Sequence, residues 1–266
     1  EIPKELNGKY LRNGPNPYFP QYTYTFPIDG DGMIHEITIN NGKASYKNRF
    51  VKTKGLLAEI KAQKSLYGGI KLAIPSDPRL TGETEVVKNS VAINIIPWGD
   101  KFLALYEKFP AYVLDQNLET LHEWNPTANA KFPVNAHYRI DPKTKHTFMF
   151  TYDFELSKPY HEVYEFDANQ QLLKRIPIIK QRPTMIHDFV ITENYIVFID
   201  CPAYFNPFNK DRPFLEFARD SFTTIMLIHR LDNKITFINN IAPFWIYHFI
   251  NAYEENGKIF VDFIHH

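Results

Sequence analysis

The sequence has a single cysteine, Cys201, among its 266 residues, and it has no excess of charge of either sign. One thiol cannot form an intramolecular disulfide bond, so a disulfide-stapled scaffold and a cysteine-rich zinc module are both excluded. The 30 Lys and Arg residues and the 30 Asp and Glu residues give a formal net charge of zero at pH 7. A neutral chain is poorly suited to broad electrostatic binding of nucleic acid or anionic lipid.

Long apolar runs are also missing, and none reaches the ~20 residues that a membrane-spanning helix needs. No signal-peptide pattern opens the sequence, which begins with Glu1 rather than with methionine. We therefore expect a soluble, cytoplasmic protein. The aromatic and basic segment Pro202–Phe217 suits peripheral contact with a membrane, although it suits a long loop between sheets slightly better.

Aromatic residues are abundant, at 15% of the sequence, and most of the chain consists of short β-rich runs joined by polar turns. For example, Thr224–Leu231 leads through an Asp-Asn-Lys turn into Ile235–Ile238. Asp, Asn, Gly and Pro favour turns, whereas Ile, Val, Phe and Tyr favour a pleated, half-buried surface. Helical periodicity is confined to Leu56–Ser65 and to a turn or two at Leu215–Asp220. The sequence therefore predicts an almost all-β protein.

The hairpins follow one another without long crossovers, and this pattern favours a propeller of four-stranded blades over a small sandwich. About sixteen candidate strands correspond to about four blades, near the lower limit for a closed propeller. We therefore expect the chain to form part of a larger ring. No linker rich in Pro, Gly or Ser divides it, so we predict one propeller domain over residues 1–266.

Three of the ten histidines share one context: His137, His187 and His248 each lie at or near the start of an apolar strand that runs into a polar turn. They are roughly 50 and 60 residues apart, about one blade and a loop. Equivalent positions on successive blades converge on the propeller axis, where three imidazoles would form a metal site. A histidine among apolar residues is more often a hydrogen-bonded core residue, so spacing alone leaves both roles open. The other internal strand and turn histidines are expected to face solvent: His122, His146, His161 and His229.

Five segments carry a resemblance to a known family. LNGKYLRNGPNP and FPIDGDGMIHEI lie near the start of the chain, and NAHYRIDPKT, MIHDFVITENYIVFID and YHFINAYEENGKIFVD surround the three histidines. In this order, they resemble the carotenoid cleavage oxygenase family, which includes apocarotenoid oxygenases, stilbene oxygenases and the retinal pigment epithelium isomerase. The resemblance implies a seven-bladed β-propeller that holds Fe(II) with four histidines.

The resemblance also implies roles for individual residues. His137, His187 and His248 match the first three iron ligands, and Glu107, in LALYEKFPAYVLD, matches the first of three outer-shell glutamates, with His187 as its partner. The fourth histidine and the other two glutamates have no match. The resemblance therefore implies that this sequence lacks the C-terminal part of the family's chain.

The function that the resemblance implies is an Fe(II)-dependent dioxygenase that uses dioxygen as co-substrate. Such an enzyme cleaves a conjugated carbon–carbon double bond of a carotenoid or apocarotenoid into two carbonyl products. Within the family, a stilbene-cleaving oxygenase or a polyene isomerase is the alternative. Outside it, the alternative is a metal-free propeller that serves as a binding scaffold. Aromatic residues close to the histidines, such as Trp245 and Tyr247, suit either the wall of an apolar substrate tunnel or ordinary core packing.

Overall fold

The structure is a computed structural model of the chain, and it describes residues 1–20, 26–70, 87–127, 131–152, 160–180, 182–206, 211–213 and 215–266. Strands dominate the described part, which contains one α-helix and no helix long and apolar enough to cross a membrane. The chain divides into two compact units, Glu1–Ala136 and His137–His266. A single domain over residues 1–266 therefore stays a prediction.

The first unit contains two larger antiparallel sheets and one short strand pair. The first sheet consists of β1 (Gly8–Asn16), β2 (Asp31–Asn40) and β3 (Lys43–Phe50). The second sheet consists of β4 (Asn94–Trp98), β5 (Lys101–Leu105), β7 (Tyr112–Leu114) and β8 (Thr120–Glu123). The short pair consists of β6 (Phe109–Pro110) and β9 (Pro133–Val134).

The helix α1 (Lys54–Ala62) lies between these two sheets in the sequence. It begins after Thr53, whose side chain accepts a hydrogen bond from the backbone N–H of Leu56 at 3.2 Å. It ends at Gln63, which adopts a left-handed conformation with φ 53°. The prediction of a short helix here is confirmed, with both ends shifted towards the N-terminus.

The second unit contains two four-stranded antiparallel sheets and two hairpins. Its first sheet consists of β10 (Arg139–Ile140), β11 (Thr147–Tyr152), β12 (Tyr160–Phe166) and β13 (Leu172–Ile179). Its second sheet consists of β14 (Val190–Ile191), β15 (Tyr195–Asp200), β18 (Thr223–His229) and β19 (Ile235–Ile241). The hairpins are β16 (Ala203–Phe205) with β17 (Leu215–Phe217), and β20 (Phe249–Glu255) with β21 (Lys258–Phe263). Each four-stranded sheet is a meander, interrupted in the second sheet by the β16–β17 hairpin.

The prediction of helical structure at Leu215–Asp220 is wrong. Residues 215–217 form β17, in which Leu215 lies opposite Phe205 and Phe217 lies opposite Ala203. A helix of one or two turns is marginal in water, because its few hydrogen bonds do not offset the cost of nucleation. Pairing with β16 instead gives the backbone N–H and C=O groups of these residues hydrogen-bond partners. Part of the candidate membrane segment Pro202–Phe217 thus forms this hairpin, while residues 207–210 and 214 lie outside the described residues.

The strand β15 lies at the centre of the second unit's core. Its side chains alternate between two apolar clusters: Phe198 packs with Phe150 and Phe189, while Ile199 packs with Phe249. Successive side chains of a strand point to opposite faces, so an uninterrupted apolar run is what a strand covered on both faces requires.

The prediction that His161, on β12, faces solvent is wrong. Its side chain is fully buried and stacks on Phe150 with ring centroids 5.4 Å apart. It also lies nearly perpendicular to the ring of Phe198, with centroids 4.3 Å apart. Burial lowers the pKa of this imidazole well below its usual value, so the ring is neutral. Neither ring nitrogen has a hydrogen-bond partner among the described residues.

A buried ion pair joins three turns of the second unit. Arg230, after β18, donates hydrogen bonds to the Thr192 and Glu193 carbonyls at 2.7 and 2.9 Å and to the carboxylate of Asp141. Burial alone would raise the pKa of Asp141, but the hydrogen bonds from Arg230 and from two turn amides outweigh this effect. They lower the pKa of Asp141 from 3.8 to about 2.

We predict that Arg230→Met lowers the free energy of unfolding by about 3 kcal/mol at pH 7, because it leaves a buried carboxylate without its cation. The contribution of Asp141 is complete above its unfolded-state pKa of about 4 and is lost as the pH falls towards about 2. The difference between wild type and variant should therefore shrink in acid. Urea denaturation at pH 7 and pH 3 measures both effects.

The matched control is Lys143→Ala. Lys143 pairs with Glu193 at 2.7 Å between two of the same turns, but both side chains are more than 60% exposed. An exposed ion pair contributes little to stability because water and salt screen it, so the control should stay close to wild type. Equal losses for the two variants would contradict the assignment.

Candidate metal centre

The three predicted ligand residues occupy equivalent positions in the second unit. His137 lies two residues before β10, His187 lies three residues before β14, and His248 directly precedes β20. Each of these strands is the first in its sheet. The imidazoles are thus carried by the entry segments of successive sheets, as the sequence predicts.

These entry segments bring the three rings together. The Nε2 atoms of His137 and His187 are 3.1 Å apart, and one nitrogen from each of the three rings lies within 4.8 Å of the others. The ring centroids are 4.6 to 5.1 Å apart, with interplanar angles of 63 to 69°. Among the described residues, this is the one group of three or more His, Cys, Asp or Glu side chains that could hold a metal ion.

The separation of the Nε2 atoms of His137 and His187 fits either a direct hydrogen bond between the two rings or a shared cation. A metal binds an imidazole nitrogen at about 2.0–2.1 Å, so two nitrogens at right angles around it lie about 3 Å apart. The 3.1 Å between the two Nε2 atoms matches this separation. Three imidazoles form a donor set that suits iron, zinc or copper. The residues therefore fit a metal of this class, while their role as ligands stays a prediction.

The protonation state of the rings also favours a metal. Burial lowers the pKa of His137 to about 4, with the neighbouring His187 and His248 adding to this effect and Asp188 opposing it. Burial likewise lowers the pKa of His248. Both rings are therefore neutral near pH 7, as metal ligation requires.

Aromatic side chains surround one side of the cluster. The rings of Tyr247 and His187 are nearly perpendicular, with centroids 5.6 Å apart. The rings of Trp245 and Tyr247 are also nearly perpendicular, with centroids 4.9 Å apart. Trp245 and Phe244 also line a cavity of about 380 Å³. The other residues that line it are Ala203, Leu215, Phe217, Arg219, Pro243 and His266. The wall is thus largely apolar next to the aromatic side of the cluster.

Glu107 lies in the first unit, in the bend after β5. The apolar residues Phe102–Tyr106 that precede it are buried, as expected, whereas Glu107 itself is half-buried. Its predicted role as the outer-shell partner of His187 stays a prediction.

The structure adds a residue that the sequence analysis missed. Asp188, directly after His187, is buried, and it accepts hydrogen bonds from Arg139 at 2.9 Å and from the backbone N–H of Phe249 at 3.1 Å. The signal available in the sequence was a carboxylate inside an apolar strand entry, since a buried carboxylate requires partners. The partners themselves, which are remote in sequence, could not be identified from that signal.

A comparison with protein families finds a match over the whole chain. The model described as retinal pigment epithelial membrane protein, or RPE65, matches residues 1–266. Among curated proteins, the carotenoid 9,10(9',10')-cleavage dioxygenase 1 of Pisum sativum is 30% identical, over 97% of this chain and 51% of the relative. The chain spans about half the length of the curated relatives it matches.

Solved structures give a consistent result. The lignostilbene dioxygenase of Pseudomonas brassicacearum superimposes with a TM-score of 0.83 and 28% identity, over 98% of this chain and 55% of the other. The cobalt-substituted apocarotenoid oxygenase of Synechocystis superimposes with a TM-score of 0.84 and 29% identity, over 99% of this chain and 58% of the other. These matches confirm the predicted fold class, an all-β propeller of the carotenoid oxygenase type.

We predict that replacing any one of His137, His187 and His248 by alanine removes metal binding from the whole protein. After anaerobic loading with Fe(II) and desalting, the wild type should retain about one metal ion per chain by mass spectrometry. Each variant should retain less than a tenth as much, because losing one of so few ligands leaves the ion weakly held.

The matched control is His229→Ala. His229 lies at the end of β18, where its Nδ1 atom forms a hydrogen bond with Asp232 in the following turn at 2.7 Å. The His229→Ala variant should leave the metal content unchanged. Full metal content in any of the three alanine variants would refute that histidine as a ligand.

Proposed function

The chain belongs to the retinal pigment epithelial membrane protein family, and from this membership we propose that His137, His187 and His248 are ligands to the iron of a dioxygenase. The proposed reaction is oxidative cleavage of a conjugated carbon–carbon double bond in a carotenoid or apocarotenoid, with two carbonyl products. The proposal includes peripheral contact with the membrane in which such an apolar polyene resides.

The observation that carries the proposal is the convergence of three imidazoles from three sheet entries, with two Nε2 atoms 3.1 Å apart. The names of the relatives add support for the reaction class. The pea relative is named a carotenoid cleavage dioxygenase, and the Synechocystis relative an apocarotenoid oxygenase.

The residues of this chain would prepare the site in several ways. When bound, the ferrous ion would supply the binding and activation of dioxygen. The neutral rings of His137 and His248 present lone pairs instead of charge, which suits a cation. Tyr247 and Trp245 form an aromatic face beside His187, suited to holding a polyene and excluding water. Glu107 would hold the ring of His187 in the tautomer that leaves its Nε2 free.

Cleavage of a stilbene is the second candidate, and the match to the lignostilbene dioxygenase favours it. A stilbene is shorter than a carotenoid and carries aromatic rings, which an aromatic wall also suits. The isomerase and the metal-free scaffold have no comparable observation in their favour among the described residues.

We predict that the whole protein, supplied with ¹⁸O₂ and an apocarotenal, forms two carbonyl products that both carry ¹⁸O. Mass spectrometry after rapid quenching measures the label before aldehyde oxygen exchanges with water. His187→Ala should abolish both products. Label in one product alone would indicate a monooxygenase, and a rearranged polyene without label would indicate an isomerase. Turnover of resveratrol alone would favour the stilbene alternative.

A further inference from the structure

One buried carboxylate connects the three segments that carry the candidate ligands. The Oδ2 atom of Asp188 accepts hydrogen bonds from Nη2 of Arg139 at 2.9 Å and from the backbone N–H of Phe249 at 3.1 Å. Arg139 lies two residues after His137, and Phe249 directly follows His248. Since Asp188 itself follows His187, a single oxygen atom joins all three sheet entries.

The second oxygen of this carboxylate lies behind the cluster. The Oδ1 atom of Asp188 accepts a hydrogen bond from the backbone N–H of Phe189 at 2.8 Å and lies 3.8 Å from Nδ1 of His137. At 3.8 Å there is no hydrogen bond, but the carboxylate lies beside the ring nitrogen of His137 that does not face His187. Metal-ligating histidines commonly donate their remote N–H to a carboxylate, which fixes the tautomer and directs the free lone pair at the metal.

The surroundings of Asp188 hold it in this position. Its side chain is 2% exposed, so it has little freedom to move. Arg139, its ionic partner, is held by a second hydrogen bond to the Tyr138 carbonyl at 2.9 Å and lies over the ring of Phe189 at 5.5 Å. A buried carboxylate with both oxygens engaged has a defined orientation, which a positioning group requires.

We infer that Asp188 is a positioning residue for the metal centre: it fixes the three histidine segments relative to one another and directs Nε2 of His137 towards the shared site. The inference rests on the proposed metal-binding function. It assigns Asp188 no contact with the metal or the substrate. Its effect reaches the site through the orientation of His137 and through the backbone beside His248.

The test is the Asp188→Asn variant of the whole protein, titrated with Co(II) after removal of bound metal. The amide keeps the shape of the carboxylate but has a single acceptor atom, so it cannot accept hydrogen bonds at both the Oδ1 and the Oδ2 positions. We expect Co(II) affinity to fall 10- to 100-fold, as is typical for the loss of an outer-shell partner. The visible absorption bands of bound Co(II) should also shift, because they report ligand geometry independently of turnover.

The matched control is Glu162→Gln. Glu162, on β12, is a buried carboxylate whose two oxygens accept hydrogen bonds from Arg175 at 2.9 Å each. The Glu162→Gln variant should unfold at a lower temperature than wild type when both are measured with a chelator present. It should bind Co(II) with the same affinity and the same visible spectrum as wild type. If Asp188→Asn behaves in the same way as this control, Asp188 supports only the fold and the inference is wrong.

A second variant decides the question if Asp188→Asn does not fold. Arg139→Lys keeps the positive charge but cannot donate both to Asp188 and to the Tyr138 carbonyl as the guanidinium does. Because Arg139 is one quarter exposed, its replacement should leave the fold intact. A several-fold loss of Co(II) affinity supports the inference, and wild-type affinity overturns it. If wild-type protein itself binds no Co(II), the proposed metal function fails first, and the two failures are thereby distinguished.

Discussion

The geometry of the candidate centre depends first on the burial of the residues that flank His187 and His248. Phe189 packs in one apolar cluster of the second unit, and Ile246 and Phe249 pack in the other. These side chains lie within two residues of His187 or His248, so moving either imidazole would draw an apolar side chain into water. Burying a phenylalanine is worth about 1.5–3 kcal/mol. The core thus fixes the backbone from which the imidazoles project, without contributing a polar group to the cluster.

The short strand β10 shows how this core is supplemented near His137. It pairs with β11 through only two residues, Arg139 and Ile140, which is too little to hold the preceding segment. Ion pairs at both ends of β10 hold this segment in addition, since Arg139 binds Asp188 and Asp141 binds Arg230. Both partners belong to the second sheet of the unit or to its entry. The position of His137 is therefore set by electrostatic contacts, whereas the position of His248 is set mainly by packing.

Local patterns explain how far the sequence could predict this arrangement. Turn residues and apolar runs located β18 and β19 to within three residues at each end and placed the histidines at strand entries, because those signals lie within a few residues of each position. Contacts with remote segments could not be read in this way. The burial of His161 depends on Phe150 and Phe198, and the strand at Leu215 depends on its partner β16. The role of Asp188 likewise depends on residues about 50 and 60 positions away.

A metal site built from imidazoles needs negative charge outside the ligand set. Neutral rings leave the full charge of a divalent cation uncompensated, and the surrounding apolar core makes that charge costly. Asp188 lies 3.8 Å from the ring of His137, whereas its partner Arg139 extends towards solvent and is one quarter exposed. Water screens the guanidinium more effectively than the buried carboxylate, so the pair acts on the cluster as a net negative group. The same carboxylate that connects the histidine segments thus also favours a cation between them.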